Sequence, residues 1–126
     1  MKNYRDLQVW QKAMQLAEDI YRTTESFPNR ETYALANQLQ RAAVSIPSNI
    51  AEGHARSSTK DYLRFTSIAQ GSLAEAETQL ELAQRLGYIQ TPELESLLSD
   101  TNEIGRMLHG LRTSLNAKLA SSTPES

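Results

Sequence analysis

The stretch RAAVSIPSNIAEG, Arg41 to Gly53, decides how this chain is read. Leu35, Leu39, Ala43, Ile46 and Ile50 recur at intervals of three and four, so they share one helical face on both sides of Pro47. Proline removes an amide donor and crowds the carbonyl four residues back, here that of Ala43, at a cost of about 3 kcal/mol or more. Either the helix stops near Ser45 or it runs on with a kink. Ile46 and Ile50 keep the apolar face across the proline, and Ile46 is a poor cap. The reading is therefore one proline-kinked helix over about 29–52. Ser45, Ser48 and Asn49 can bond backbone groups that the kink frees, and Gly53 is expected at a left-handed C′ position. Two uses of the kink stay open: a ligand or partner site, or a fit around a neighbouring helix.

Working outward, three more helices emerge. Over about 6–23, Leu7, Trp10, Met14, Ala17 and Tyr21 form one stripe, and Val9, Ala13, Leu16 and Ile20 form a second beside it. Pro28 ends that segment. A third helix follows GHARSS, with Ser58 and Asp61 as a capping box. It carries Tyr62, Phe65, Ala69, Leu73, Ala76, Leu80 and Ala83 on one face and stops at Gly87. A fourth opens at Thr91 as N-cap with Pro92 at N1. Its seam is Leu94, Leu97, Thr101, Ile104, Leu108, Leu111 and Leu115. No strand alternation competes. The fold class is all-α, an antiparallel up-down four-helix bundle over residues 1–119, roughly 40 Å long at about 1.5 Å per residue. Residues 120–126 read as a disordered polar tail.

Composition excludes several functions. The 126 residues suit one domain, and the absence of cysteine removes disulfides, thiolate metal sites and cysteine nucleophiles. It also fits a cytoplasmic setting. MKNYRDLQVW lacks the long apolar run of a secretory leader, and no stretch is apolar enough for a membrane span. The net charge of −2 lacks the strong basic excess of a dedicated nucleic-acid binder. Residues 1–70 hold nine Lys/Arg and seven Asp/Glu, while residues 71–126 hold four and eight, so two faces of opposite sign are expected. No Glu-x-x-His pair marks a di-metal bundle and no nucleophile-elbow pattern appears. His54, placed in the loop after Gly53, and His109 read as surface or cap residues. No enzyme, catalytic residue, metal or cofactor is expected.

The strings YRDLQVWQKAM, FPNRETYALANQLQRAAVSIPSNIAEG and DYLRFTSIAQGSLAEAETQL, spanning Tyr4 to Ile89, resemble the bacterial four-helix-bundle family of 23S ribosomal RNA intervening sequences. That resemblance implies a homopentamer around a central channel and no enzymatic activity. Where the family often has arginine before GSLAE, this chain has Gln70. The accessory variability proteins of diversity-generating retroelements look similar in fold, and they imply nucleic acid and a reverse transcriptase as partners. The motif residues that carry the resemblance and the kink are Arg41, Ser45, Pro47, Asn49, Glu52 and Gly53.

The candidate nucleic-acid patch is Arg56, Lys60 and Arg64, one helical turn apart, with Lys12 and Arg41 as further cations. The alternative is a solvated charged face, interrupted by Asp61. Trp10 reads as core or subunit contact, with base stacking as its other use. Glu52 sits at a helix C-terminus, where the dipole disfavours an anion, so it should find a cation such as Arg41 of the same or an adjacent subunit. Gly71, Gly105 and Gly110 each cost a helix about 1 kcal/mol, which close helix approach would justify. Two stripes on the first helix and an almost uncharged second helix exceed what one bundle hides, so the chain is expected to be a homo-oligomer. RNA or DNA is the expected external ligand; the alternative is a structural or protein-binding module without nucleic-acid affinity.

Overall fold

The computed structural model describes residues 3–122, which form four long helices and, among the described residues, no strand. They are α1 (Gln8–Thr24), α2 (Leu35–His54), α3 (Thr59–Arg85) and α4 (Thr91–Ser122). Short 3-10 turns at Tyr4–Asp6 and Asn29–Glu31 precede α1 and α2. Cross-helix contacts show the antiparallel order. Gln38 meets Gln79, Ser45 meets Ser72, and Gly53 approaches Tyr62, so α2 and α3 run past each other in opposite senses. Thr101 bonds Glu77 and Arg112 bonds Thr66, which sets α4 against α3 in the same way. Helix contacts run α1–α2, α2–α3, α3–α4 and α1–α4, leaving α1 and α3 at opposite corners.

Only one of the two α1 stripes enters the core in full; of the other, Ala17 is buried and Leu7 and Trp10 pack partly against the core. Val9, Ala13, Leu16 and Ile20 are buried against Leu39, Ala43, Ile46 and Ile50 of α2. Met14 and Tyr21 stay 39% and 47% exposed, and Trp10 is half-buried. The α4 seam is buried from Leu94 to Leu108 and again at Leu115, with Leu111 half-buried. Thr101 sits in it without exposure because its hydroxyl is satisfied, donating to Glu77 Oε2 at 2.7 Å or to the Leu98 carbonyl at 3.0 Å.

α2 continues through Pro47, as the unbroken apolar face requires. The Asn49 amide donates to the Ser45 carbonyl at 2.8 Å and to Ser45 Oγ at 3.0 Å, and Ser45 Oγ lies 2.7 Å from Ser72 Oγ. Polar side chains thus stitch the proline turn to itself and to α3. Gly53 corrects an expectation. It is not a left-handed stop; α2 runs on to His54, and its C-cap Ala55 is right-handed. His54 is accordingly helical and stands edge-on to Tyr62, not in a loop. Gly53 is needed for space: a Cβ there would lie 2.9 Å from Phe65 Cβ and 2.9 Å from Tyr62 Cδ1.

The other ends follow local chemistry. Ser58 caps α3 by accepting from the Asp61 amide at 3.0 Å. Gly87, at φ +81°, closes α3 with paired bonds from Tyr88 N to Ala83 O and from Gly87 N to Gln84 O, the Schellman arrangement. α2 begins at Leu35, later than expected. Residues 29–31 instead make a 3-10 turn, and Glu31 Oε1 accepts from the Leu35 amide. α4 begins at Thr91 itself, with Gln90 accepting the first helical bond. It reaches Ser122, so residues 120–122 continue the helix instead of starting a tail; residues 123–126 lie outside the described residues. Gly71 and Gly110 have nothing within 4 Å of a built Cβ, and Gly105 meets only Leu73 at 3.5 Å, so close approach within the bundle does not account for them.

A clasp joins the two connections at one end. Tyr88 O–H donates to Glu31 Oε2 at 2.6 Å, and the Tyr88 ring packs on Phe27. That bond, followed by the Leu35 amide, holds the Glu31 carboxyl below its ordinary range, and the same carboxylate raises Tyr88. A depressed folded pKa contributes stability that is full above the ordinary glutamate range and is lost as pH falls through the folded value. Tyr88→Phe should therefore lower the melting temperature at neutral pH, with the gap to wild type closing in acid. A gap that persists in strong acid would assign the effect to ring packing. For the glycines, Gly53→Ala should destabilise by about 1–3 kcal/mol through overpacking, while Gly110→Ala should stabilise by about 0.5–1 kcal/mol through helix propensity. Chemical denaturation of both variants reads the two signs.

Candidate functional site

The stripe of α1 left outside the core lines a groove with α2. Its volume is about 570 Å³, and Trp10, Met14 and Tyr21 face Val44, Pro47 and Ala51 across it. Tyr4 closes one end and packs edge-on to Trp10 at 5.3 Å between ring centroids. Glu18 and Arg22 are the charged residues in the lining, and they bridge each other at 3.6 Å. Val44 is 42% exposed. Pro47 explains why this side of α2 joins the wall: its ring contributes apolar surface and carries no amide for a partner to satisfy. The groove is thus made of the surplus stripe and the proline turn together.

Lys12 and Arg41, the further cations, do not join the Arg56, Lys60 and Arg64 patch. Lys12 is tied to α4 by an ion pair to Glu103 at 2.9 Å, and the hydrogen-bonded Glu103 carboxylate raises its pKa. Arg41 lies between α2 and α3, in a polar groove with Glu75 and Gln79. From the α2–α3 turn it is about 20 Å back along the helix. Arg56, Lys60 and Arg64 do stay together at that turn. Arg56 and Arg64 each place a guanidinium over the Phe65 ring, 4.7 and 4.8 Å from its centroid. Glu52 finds its cation, but the partner is Arg56 at 3.0 Å, one turn onward, and not Arg41 of the same chain. Eleven residues of helix, about 16 Å, separate Arg41 from Glu52 within one chain.

Charge is segregated along the bundle axis, and not simply between the two parts of the chain. Dividing each helix near its middle, at Leu16, Ser45, Ser72 and Gly105, separates the described residues into two ends. The end with the α2–α3 turn holds eight Lys/Arg and three Asp/Glu, a balance of +5. The opposite end holds four and eleven, a balance of −7. α4 shows it alone: Glu93, Glu95, Asp100 and Glu103 fill its first half, and Arg106, Arg112 and Lys118 its second. Separate inspection of each helix half in the sequence would have revealed this polarity; adding up charge by chain halves hid it, because antiparallel helices return to both ends.

His109 is exposed on α4, and among the described residues no group of His, Asp and Glu side chains could hold a metal ion. No described helix is long and apolar enough to cross a membrane. Together these features define a class: an all-helical four-helix bundle with an apolar groove on one side and charge of opposite sign at its two ends. Residues 5–110 match the 23S rRNA-intervening sequence protein family, and the chain belongs to that family. It is also similar to a crystal structure from Bacteroides thetaiotaomicron VPI-5482 of a protein with unknown function from the S23 ribosomal protein family. The TM-score is 0.75 and the identity 28%, over 82% of this chain and 97% of that one. No curated protein matches the chain.

Arg112 belongs to the cationic end by position but is committed inward. It donates to the Leu63 carbonyl at 2.9 Å and to the buried Thr66 hydroxyl at 2.8 Å. Arg112→Met keeps the stem and removes these bonds, and should cost about 1–3 kcal/mol in denaturant unfolding; an unchanged midpoint would show the guanidinium free for other contacts.

Proposed function

We propose that the chain is a non-enzymatic homo-oligomeric scaffold or adaptor, assembled through the α1–α2 groove, with RNA or DNA as its external ligand. The observation that carries this reading is the groove. Met14, Tyr21 and Val44 are exposed and Trp10 half-buried beside them, while a separate α1 stripe already fills the core. Burying a large apolar side chain contributes about 1.5–3 kcal/mol, so several of them give association a substantial driving force. A groove on one side and a different surface on the next copy make a head-to-tail contact, the kind that closes into rings. Five copies is what the family resemblance implies. The exposed Gly71, open on its own chain, suits close approach by another copy.

A purely structural or protein-binding module without nucleic-acid affinity is the second reading, favoured by the −7 end, which repels phosphate. Light scattering tests the assembly. A single oligomer with no monomer at about micromolar concentration is expected, and Val44→Glu should give a monomer of unchanged helicity, since it places a charge in the groove. A wild-type monomer, or a Val44→Glu oligomer of full mass, contradicts the reading.

A further inference from the structure

We propose that the end of the bundle holding the α2–α3 turn is the docking surface for nucleic-acid phosphates, engaging the backbone and not the bases. The inference deepens the adaptor reading and rests on it for the ligand class.

The charge separation is not explained by helix stabilisation. A helix favours acids in its first turn and cations in its last, and the effect fades within a turn. α4 agrees in sign, but its separation persists over all 32 residues, well beyond the terminal turns. α3 disagrees along its length, with Lys60 and Arg64 near its start and Glu75, Glu77 and Glu81 in its second half, although Asp61 and Arg85 in its terminal turns follow the dipole. α1 disagrees too, with Lys12 early and Glu18 and Asp19 late. The sign follows the end of the bundle and not the direction of the helix. Like charges gathered from three chain segments repel one another, and a bound polyanion relieves that repulsion.

The surface suits phosphate in detail. Lys60 and Lys118 are exposed and take part in no ion pair among the described residues. A groove of about 400 Å³ runs between the α2–α3 turn and the end of α4, where Arg56 and Lys118 line it with Ser57, Ser58 and Thr59. Lysine, arginine and hydroxyl side chains are the common phosphate partners. The Phe65 ring holds Arg56 and Arg64 at the surface. The acidic end of another copy is the competing occupant. Stacking unlike ends repeats without closing and would grow fibres, whereas a ring built through the α1–α2 groove leaves the ends free. Rotation about one axis carries every cationic end to an equivalent position, so a ring adds these fields together.

Fluorescence anisotropy with a labelled single-stranded RNA and a labelled DNA duplex tests the surface, with light scattering on every sample. Lys60→Glu/Lys118→Glu is compared with Arg41→Glu/Arg85→Glu, an equal charge change at the acidic end and away from the α1–α2 groove. Wild type should bind at about 50 mM salt and lose affinity steeply by about 200 mM. The Lys60/Lys118 variant should bind about ten-fold more weakly or worse, with a log–log salt slope shallower by about 2. The Arg41/Arg85 variant should stay within about two-fold of wild type. Equal weakening by both variants would overturn the surface while leaving the adaptor reading standing. Absence of binding at about 50 mM would overturn both, as would protein mass that grows at low salt without nucleic acid, since the ends would then be stacking on each other. A monomer that still binds through Lys60 and Lys118 would keep the surface and remove the scaffold.

Discussion

Four antiparallel helices enclose one apolar stripe from each member, and α1 brings two. Most of the molecule's surface character follows from that limit. The stripe of Val9, Ala13, Leu16 and Ile20 enters the core because it meets Leu39, Ala43, Ile46 and Ile50. The stripe of Trp10, Met14 and Tyr21 then has no place inside and becomes one wall of a groove. α2 must be continuous to supply the other wall, so the helix has to accommodate Pro47 within it. The exchange among Ser45, Asn49 and Ser72 keeps polar groups of that turn bonded, so Pro47 can face the groove without leaving the helix around it in deficit.

The second constraint is the closeness of α2 and α3 at the same end. Gly53 lets Phe65 and Tyr62 approach to a distance no side chain would allow. Phe65 then lies under Arg56 and Arg64, and Arg56 reaches back to Glu52. One missing Cβ therefore fixes the turn on which the cationic cluster is displayed. At the far end Tyr88 and Glu31 perform the matching task, tying the α1–α2 and α3–α4 connections together.

Much of the fold was legible in the sequence because helical periodicity is a local signal. The four segments, the cap at Ser58, the stop at Gly87 and the passage of α2 through Pro47 all follow from spacing and the chemistry of single residues. The readings that failed needed distance information. Gly53 looked like a stop because glycine ends helices, and only the position of Phe65 shows its other use. Glu52 does find an arginine, but the one in its own chain is Arg56, one turn away, and not Arg41. The two α1 stripes were visible, but which one faces inward depends on the angle at which α2 packs. Arg112 on Leu63 and Tyr88 on Glu31 join positions far apart in the chain, and no spacing rule links them. The axial charge polarity was present in the sequence and emerges once the helices are folded back on one another.

The central claim is that a neighbouring copy covers the surplus stripe. Hydroxyl-radical footprinting of the intact protein measures this directly, with Tyr33, 91% exposed on the isolated chain, as the internal reference. The account predicts that Tyr33 is modified rapidly while Met14, Trp10 and Tyr21 are protected well beyond their exposure in a single chain. Rapid oxidation of Met14 alongside Tyr33 would mean that water, and not protein, fills the groove.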